Sequence, residues 1–184
     1  MLPILHQSLW RDEAFSLLVA AKSPLEILGL TLKDTNPPLY FLILHYWIQA
    51  FGNSEPVARS LSFLFHILLS IVVWLAAHHL TKSKTVSVLA MLAAFLNPFL
   101  LQYAFEIKHY SLFALLTTSS LFLWLTQKKF LSGAFLALAV ITHNYGVFTF
   151  IAFALFWFPE NKLSINKKFF VSYIIFLVCR LLQP

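Results

Sequence analysis

Three charges stand side by side in "SLWRDEAFSLL": Arg11, Asp12 and Glu13, with apolar neighbours on both sides. A carboxylate held near an acceptor hydroxyl can act as a general base. Acids near a helix start also satisfy free N–H groups and the helix dipole. Both readings fit Asp12 and Glu13, and one residue can serve both. A second cluster, Glu106-Ile107-Lys108-His109-Tyr110, puts an acid beside a cation. Its plain reading is a charged loop between two apolar runs. Its functional reading is a second acid with a lysine that meets phosphate oxygens as a point charge.

The histidines and Arg59 carry weaker signals. His109 and His143 can meet Asp12 or Glu106 around a divalent metal, but no HExxH or similar spacing supports one, so no cofactor is expected. His66 lies inside an apolar run and reads as a hydrogen-bond partner for a neighbouring helix. His78 and His79 suit the cytoplasmic interface. Arg59 heads an apolar run. Snorkelling to the interface is its default reading, and pairing with an outer acid or a lipid phosphate is the alternative. Serine-nucleophile motifs, Walker loops and GxGxxG are absent from a chain with four glycines.

The elements that position these residues must be membrane helices. Of 184 residues, 60% are hydrophobic and 11% charged, far below the roughly 25% charged of soluble domains. One cysteine, Cys179, leaves no internal disulfide, CxxC redox motif or zinc ribbon. The net charge of +6 lies mainly between apolar runs, which points to topology rather than nucleic acid. No cleavable signal peptide is evident at the start.

A span needs about 20 apolar residues. Runs at 57–80, 85–105 and 109–126 qualify, with Asn97-Pro98 as a kink or break in the second. Residues 169–182 begin another. Lysines follow these runs at 82 and 84, at 128 and 129, and at 162, 167 and 168. The positive-inside rule places all three groups in the cytoplasm. Residues 131–158 then cross twice or not at all, and a hairpin of short helices, 131–142 and 146–158, turning at "THNYG" is the favoured form. Asp12, Glu13, Glu26, Asp34, Glu55 and Glu106 fall outside, and only Glu160 inside. The outer face thus gathers residues 1–56, 102–109 and "THNYG".

Residues 12–52 read as interfacial. "SPLE" at 23–26 has the form of a capping box. In "NPPLYFLILHYWIQAFG", Asn36 is expected to cap, Pro37 to start and Gly52 to end a helix whose aromatics suit headgroup depth. The fold class is therefore all-α: a polytopic membrane protein with interfacial helices in its first outer loop.

Four segments in this order resemble one family: "LWRDEAFS", "DTNPPLYFLILHYWIQAFGNSEPVARSLSFL", "NPFLLQYAFEIKHYSL" and "THNYGVF". They are similar to bacterial glycosyltransferases of the protein-mannosyltransferase superfamily, the RgtA/B/C/D-like enzymes of GT-C fold, over roughly residues 8–158. The resemblance implies transfer of a sugar from a polyprenyl-phosphate carrier to a lipid, glycan or protein acceptor, usually with inversion, at the outer face of the plasma membrane. It makes Asp12 the candidate general base, Glu13 its neighbour and reserve, and Glu106 the acid of the second outer loop. Lys108, His109, Tyr110, Asn36, Arg59 and His143 become candidate substrate-binding residues. Asn36 stands where the family usually has histidine, and Lys108 where it has arginine, which keeps the charge but loses the bidentate fork.

The resemblance also implies that residues 1–184 form a single partial GT-C domain, an N-terminal piece whose remaining helices lie on a separate chain or in an adjacent frame. The rival reading is a catalytically inactive membrane scaffold or partner subunit that keeps part of the fold. A transporter ranks third, because the spans hold few polar groups near mid-membrane.

Overall fold

A computed structural model describes residues 11–33 and 36–157, with side chains through Phe153. The expected helix at 169–182, Asp34, Glu160, Lys162, Lys167, Lys168 and Cys179 lie outside the described residues. Within them the chain is α-helical, with no strand. The order is α1 (Arg11–Ala20), α2 (Pro24–Thr31), α3 (Leu39–Phe51), α4 (Glu55–Thr81), α5 (Lys84–Phe95), α6 (Pro98–Ala104), α7 (Tyr110–Leu125), α8 (Lys129–Val140) and α9 (Gly146–Trp157). The chain divides into two units after Val147, so α1–α8 belong to the first and most of α9 to the second.

Helix α4 is the axis of the first unit and packs against α3, α5, α6 and α7. Its 27 residues make it the one described helix long and apolar enough by itself to cross a bilayer. Helices α5 and α6 pass the same test only as a pair, bent by 59°. Helices α3, α7 and α8 are apolar but shorter. Along α4 the buried positions are Ala58, Arg59, Leu61, Ser62, Phe65, His66, Leu69 and Ser70, a stripe at helical spacing rich in small and polar residues. Leu64, Leu68 and Ile71 point outward. Small and polar groups inside with leucine and isoleucine outside is the pattern expected of a helix solvated by lipid.

Broken helices leave carbonyls without partners, and this chain supplies them. The residue before a proline is pushed away from helical backbone, so α5 stops ahead of Pro98. The Asn97 side chain accepts from Phe99 N–H and Leu100 N–H at 3.1 Å and starts α6. His66 Nε2 donates to the Phe95 carbonyl at 3.0 Å across the helix interface. His45 Nδ1 does the same for the Ala20 carbonyl at the end of α1, at 2.8 Å. Trp47 Nε1 reaches the Val57 carbonyl at 2.9 Å and fixes α3 against α4.

The first outer segment differs from expectation at one cap. Ser23 and Glu26 form the capping box on α2, and Gly52 ends α3 with φ of 99°, a conformation that favours glycine. Asn36, however, does not cap α3; Pro38 holds the N-cap position. Pro38 keeps Pro37 out of helical backbone, so the helix cannot begin at Pro37 as the sequence suggests. The Leu39 N–H donates to the Ile141 carbonyl at 3.2 Å, which brings Asn36 and Pro37 beside "THNYG". That segment turns tightly: a Cβ on Gly146 would lie 2.5 Å from Val140 Cα, so only glycine fits.

Helices α7 and α8 join through a reciprocal serine pair. Ser120 Oγ donates to the Ser132 carbonyl and Ser132 Oγ to the Ser120 carbonyl, both at 2.8 Å and fully buried. Ser132→Val should remove the bond from Ser132 Oγ to the Ser120 carbonyl and overfill the contact, a loss of about 1–3 kcal/mol. Thermal unfolding in detergent checks this against Ser60→Val, an exposed control. Equal melting temperatures would mean that the helices are not joined there.

Candidate active site

Adjacent acids have opposite fates in α1. Glu13 points inward and is 2% exposed. Its Oε2 accepts from Arg59 Nη2 at 3.0 Å, and its Oε1 accepts from Arg59 Nε at 3.3 Å and from the Ile107 N–H at 3.0 Å. Arg59, buried in the first turns of α4, also lies 3.8 Å from Glu55. Its guanidinium is thus turned to acids rather than snorkelling outward. Glu13 joins three pieces of chain: α1, α4 and the loop between α6 and α7.

Asp12 points the other way. Its side chain is 70% exposed, and Lys108 Nζ lies 3.1 Å from Oδ2. Lys108 stands one residue past Ile107, so the buried Glu13 contact fixes the segment that carries the lysine. Ser62 Oγ donates to the Lys108 carbonyl at 3.4 Å, and the buried Tyr40 hydroxyl lies 3.2 Å from Ser62 Oγ. The "NPPLY" tyrosine therefore supports the same loop from below.

Glu106 is half-buried, and Gln102 Nε2 donates to its Oε1 at 3.4 Å. Burial pushes its carboxyl above the usual range; Gln102 and Lys108 pull it back, while Glu13 and Asp12 add to the rise. Tyr110 opens α7 with its ring 4.7 Å from Tyr103 and 5.8 Å from His143. His109 is 6% exposed, its ring 4.5 Å from His143 and 6.4 Å from Tyr40. Burial, then the charge of Lys108, depresses the basicity of His143. The Tyr145 N–H donates to His143 Nδ1 at 3.0 Å, so the proton of the neutral ring sits on Nε2.

The structure thus gathers the sequence candidates into two neighbouring groups. Asp12, Glu13, Arg59, Glu106 and Lys108 make the charged one. Asn36, His109 and His143 line a cavity of about 230 Å³ together with Pro37, Asn144 and Tyr145. Tyr110 stands beside His109 and His143. Among the described residues no three His, Cys, Asp or Glu side chains converge as metal ligands. Tyr40, Ser62, Asn144 and Tyr145 were not singled out from sequence; Tyr40, Asn144 and Tyr145 lie in "NPPLY" and "THNYG", whereas Ser62 carries no signal beyond its place in α4.

Helices with polar interiors and lipid-facing leucines, and a polar centre made by loops at their ends, define a membrane protein built around a loop-borne site. The chain belongs to the dolichyl-phosphate-mannose-protein mannosyltransferase family, whose profile matches residues 35–182. It is accordingly a membrane glycosyltransferase of the mannosyltransferase type. The match begins after Asp12 and Glu13, which join the matched region through Lys108, Arg59 and Ile107. No curated protein and no solved structure matches the chain significantly.

The raised Glu106 carboxyl has a sign that can be measured. A folded-state pKa above the unfolded value gives stability that is full below the unfolded pKa, 4.5, and lost as pH rises through the folded one. Glu106→Gln is neutral at every pH and can keep the Gln102 contact. Relative to this variant, the wild type should therefore lose melting temperature between pH 4 and pH 8. A constant difference across that range would mean that the carboxyl is not perturbed.

Proposed function

We propose that the chain transfers a sugar from a polyprenyl-phosphate-linked donor to an acceptor hydroxyl at the outer face of the membrane, with Asp12 as general base. The carrying observation is the division of labour within the acid pair. Glu13 is enclosed by Arg59 and the Ile107 N–H, whereas Asp12 is exposed and held by a lysine. A base must reach substrate, and a buried, fully engaged carboxylate cannot.

Lys108 gives the pair its chemistry. An ammonium exchanges partners readily, because it is a point charge on a flexible stem. A donor phosphate entering the site draws Lys108 from Asp12 and leaves the carboxylate free to take a proton. The acceptor O–H then gives its proton to Asp12, and its oxygen forms the bond to the anomeric carbon. The bond from that carbon to the phosphate oxygen breaks, and its electron pair leaves with the polyprenyl phosphate, opposite Lys108. Glu106 stands in the same charged cluster, its carboxyl raised above the usual range by burial and lowered again by Gln102 and Lys108.

The outer placement rests on charge. Lys82, Lys84, Lys128 and Lys129 lie at the helix ends remote in sequence from this cluster, and the positive-inside rule assigns them to the cytoplasm. A multi-pass arrangement follows from the same alternation.

Asp12→Asn removes the base and leaves the shape. At an exposed position the stability change should stay within about 0.5 kcal/mol. Transfer from a polyprenyl-phosphate sugar should fall by about 10²–10⁴-fold, measured against an active wild-type preparation in membranes. Near-normal turnover in that preparation would remove Asp12 from the reaction.

A further inference from the structure

The cavity beside the charged cluster has a composition of its own. Asn36 and Pro37 come from the segment before α3, His109 from the N-cap of α7, and His143, Asn144 and Tyr145 from the turn after α8. None of the six is an acid, a lysine or an arginine. Two carboxamides and two imidazoles offer donors and acceptors in close alternation, the pattern that reads hydroxyl groups. Tyr145, 61% exposed, puts an aromatic face at the rim, 4.7 Å from the His143 ring. Aromatic faces stack on the C–H side of a pyranose.

Two further observations point to an occupant. His109 Nε2 is closed from solvent and has no hydrogen-bond partner among the described residues. A buried polar atom without a partner costs about 1–3 kcal/mol, and a hydrogen bond from a ligand hydroxyl in the cavity would remove that cost. The volume, about 230 Å³, is below the 300–1,000 Å³ typical of drug-sized ligands and suits a single ring.

We infer that this cavity is a subsite for one uncharged pyranose ring, and that it discriminates against uronic acids and amino sugars. Discrimination comes from what the wall lacks. A ring carboxylate or ammonium would lose water and meet no opposite charge in the lining. His143 does not supply one, since burial and the nearby Lys108 keep its ring neutral. Lys108 lies outside the lining, and its charge is taken by Asp12 at 3.1 Å or, in the proposed reaction, by the donor phosphate. The inference deepens the glycosyltransferase reading and rests on it for the identity of the ring as a sugar. The same chemistry serves a donor sugar or an acceptor sugar.

The test is saturation-transfer NMR on the full chain in nanodiscs, with methyl glucopyranoside, methyl mannopyranoside, methyl glucuronopyranoside and methyl glucosaminide as probes. At least one neutral ring should bind, and the charged two should bind roughly ten- to hundredfold more weakly. Tyr145→Ala should abolish the neutral signal. Asn144→Asp should reverse the order in favour of the glucosaminide. Both positions are exposed, so the fold is not at stake. Adding a polyprenyl-phosphate-linked sugar separates the sources: displacement identifies the donor ring and joint occupancy the acceptor ring, and either upholds the subsite. No binding of either neutral ring, equal binding of charged rings, or binding indifferent to both substitutions overturns it. None of these readouts depends on Asp12, so a failed base assignment and a failed subsite are told apart.

Discussion

The contact between Glu13 and Arg59 is the constraint on which the site depends. Two charges withdrawn from water cost several kcal/mol each unless geometry and further hydrogen bonds compensate. Here the Nε and Nη2 atoms of one guanidinium face the two carboxylate oxygens, and one of those oxygens also accepts the Ile107 N–H. That third bond turns an ion pair into a clamp. It fixes the backbone one residue before Lys108, and so decides where the lysine meets Asp12. Helix α1 presents Asp12 outward because the next residue is held inward.

Around the clamp, the helices follow the rules of a lipid solvent. Along α4 the protein-facing stripe carries Arg59, Ser62, His66 and Ser70, each hydrogen-bonded to another part of the chain or to its own helix. The break between α5 and α6 is stable because Asn97 and His66 take up backbone groups that the proline leaves open. Such breaks are tolerated in membrane helices only with partners of this kind. The result is a set of packed helices whose connecting loops carry the polar chemistry.

Much of this was legible in the sequence, and the reasons are local. The capping box at Ser23 and Glu26, the stop at Gly52 and the break at Asn97-Pro98 are short-range signals, and each lies where its residues predict. The all-α membrane class followed from the lack of charge. The fates of Asp12 and Glu13 were not legible, because α1 has almost no amphipathic pattern to say which acid faces inward; distant Arg59 and Ile107 decide it. The sequence favours snorkelling for Arg59, since its partner lies 46 positions away. Asn36 has the sequence signature of a cap, but the second proline moves the helix start past it, a constraint stronger than the capping preference of asparagine. The cavity needs the Leu39 contact with Ile141, a long-range backbone bond without a side-chain signature.

A double-mutant cycle on Glu13 and Arg59 tests the central claim most directly. Unfolding of Glu13→Gln, Arg59→Met and the double variant would be followed in detergent. Either single change leaves the remaining partner in a buried site built for an ion pair and should cost about 3–5 kcal/mol. The double change should cost well below the sum, with a coupling of about 2–3 kcal/mol. Additive losses, or single changes that cost nothing, would contradict the account, because Glu13 would then not be what holds the loop of Lys108 against Asp12.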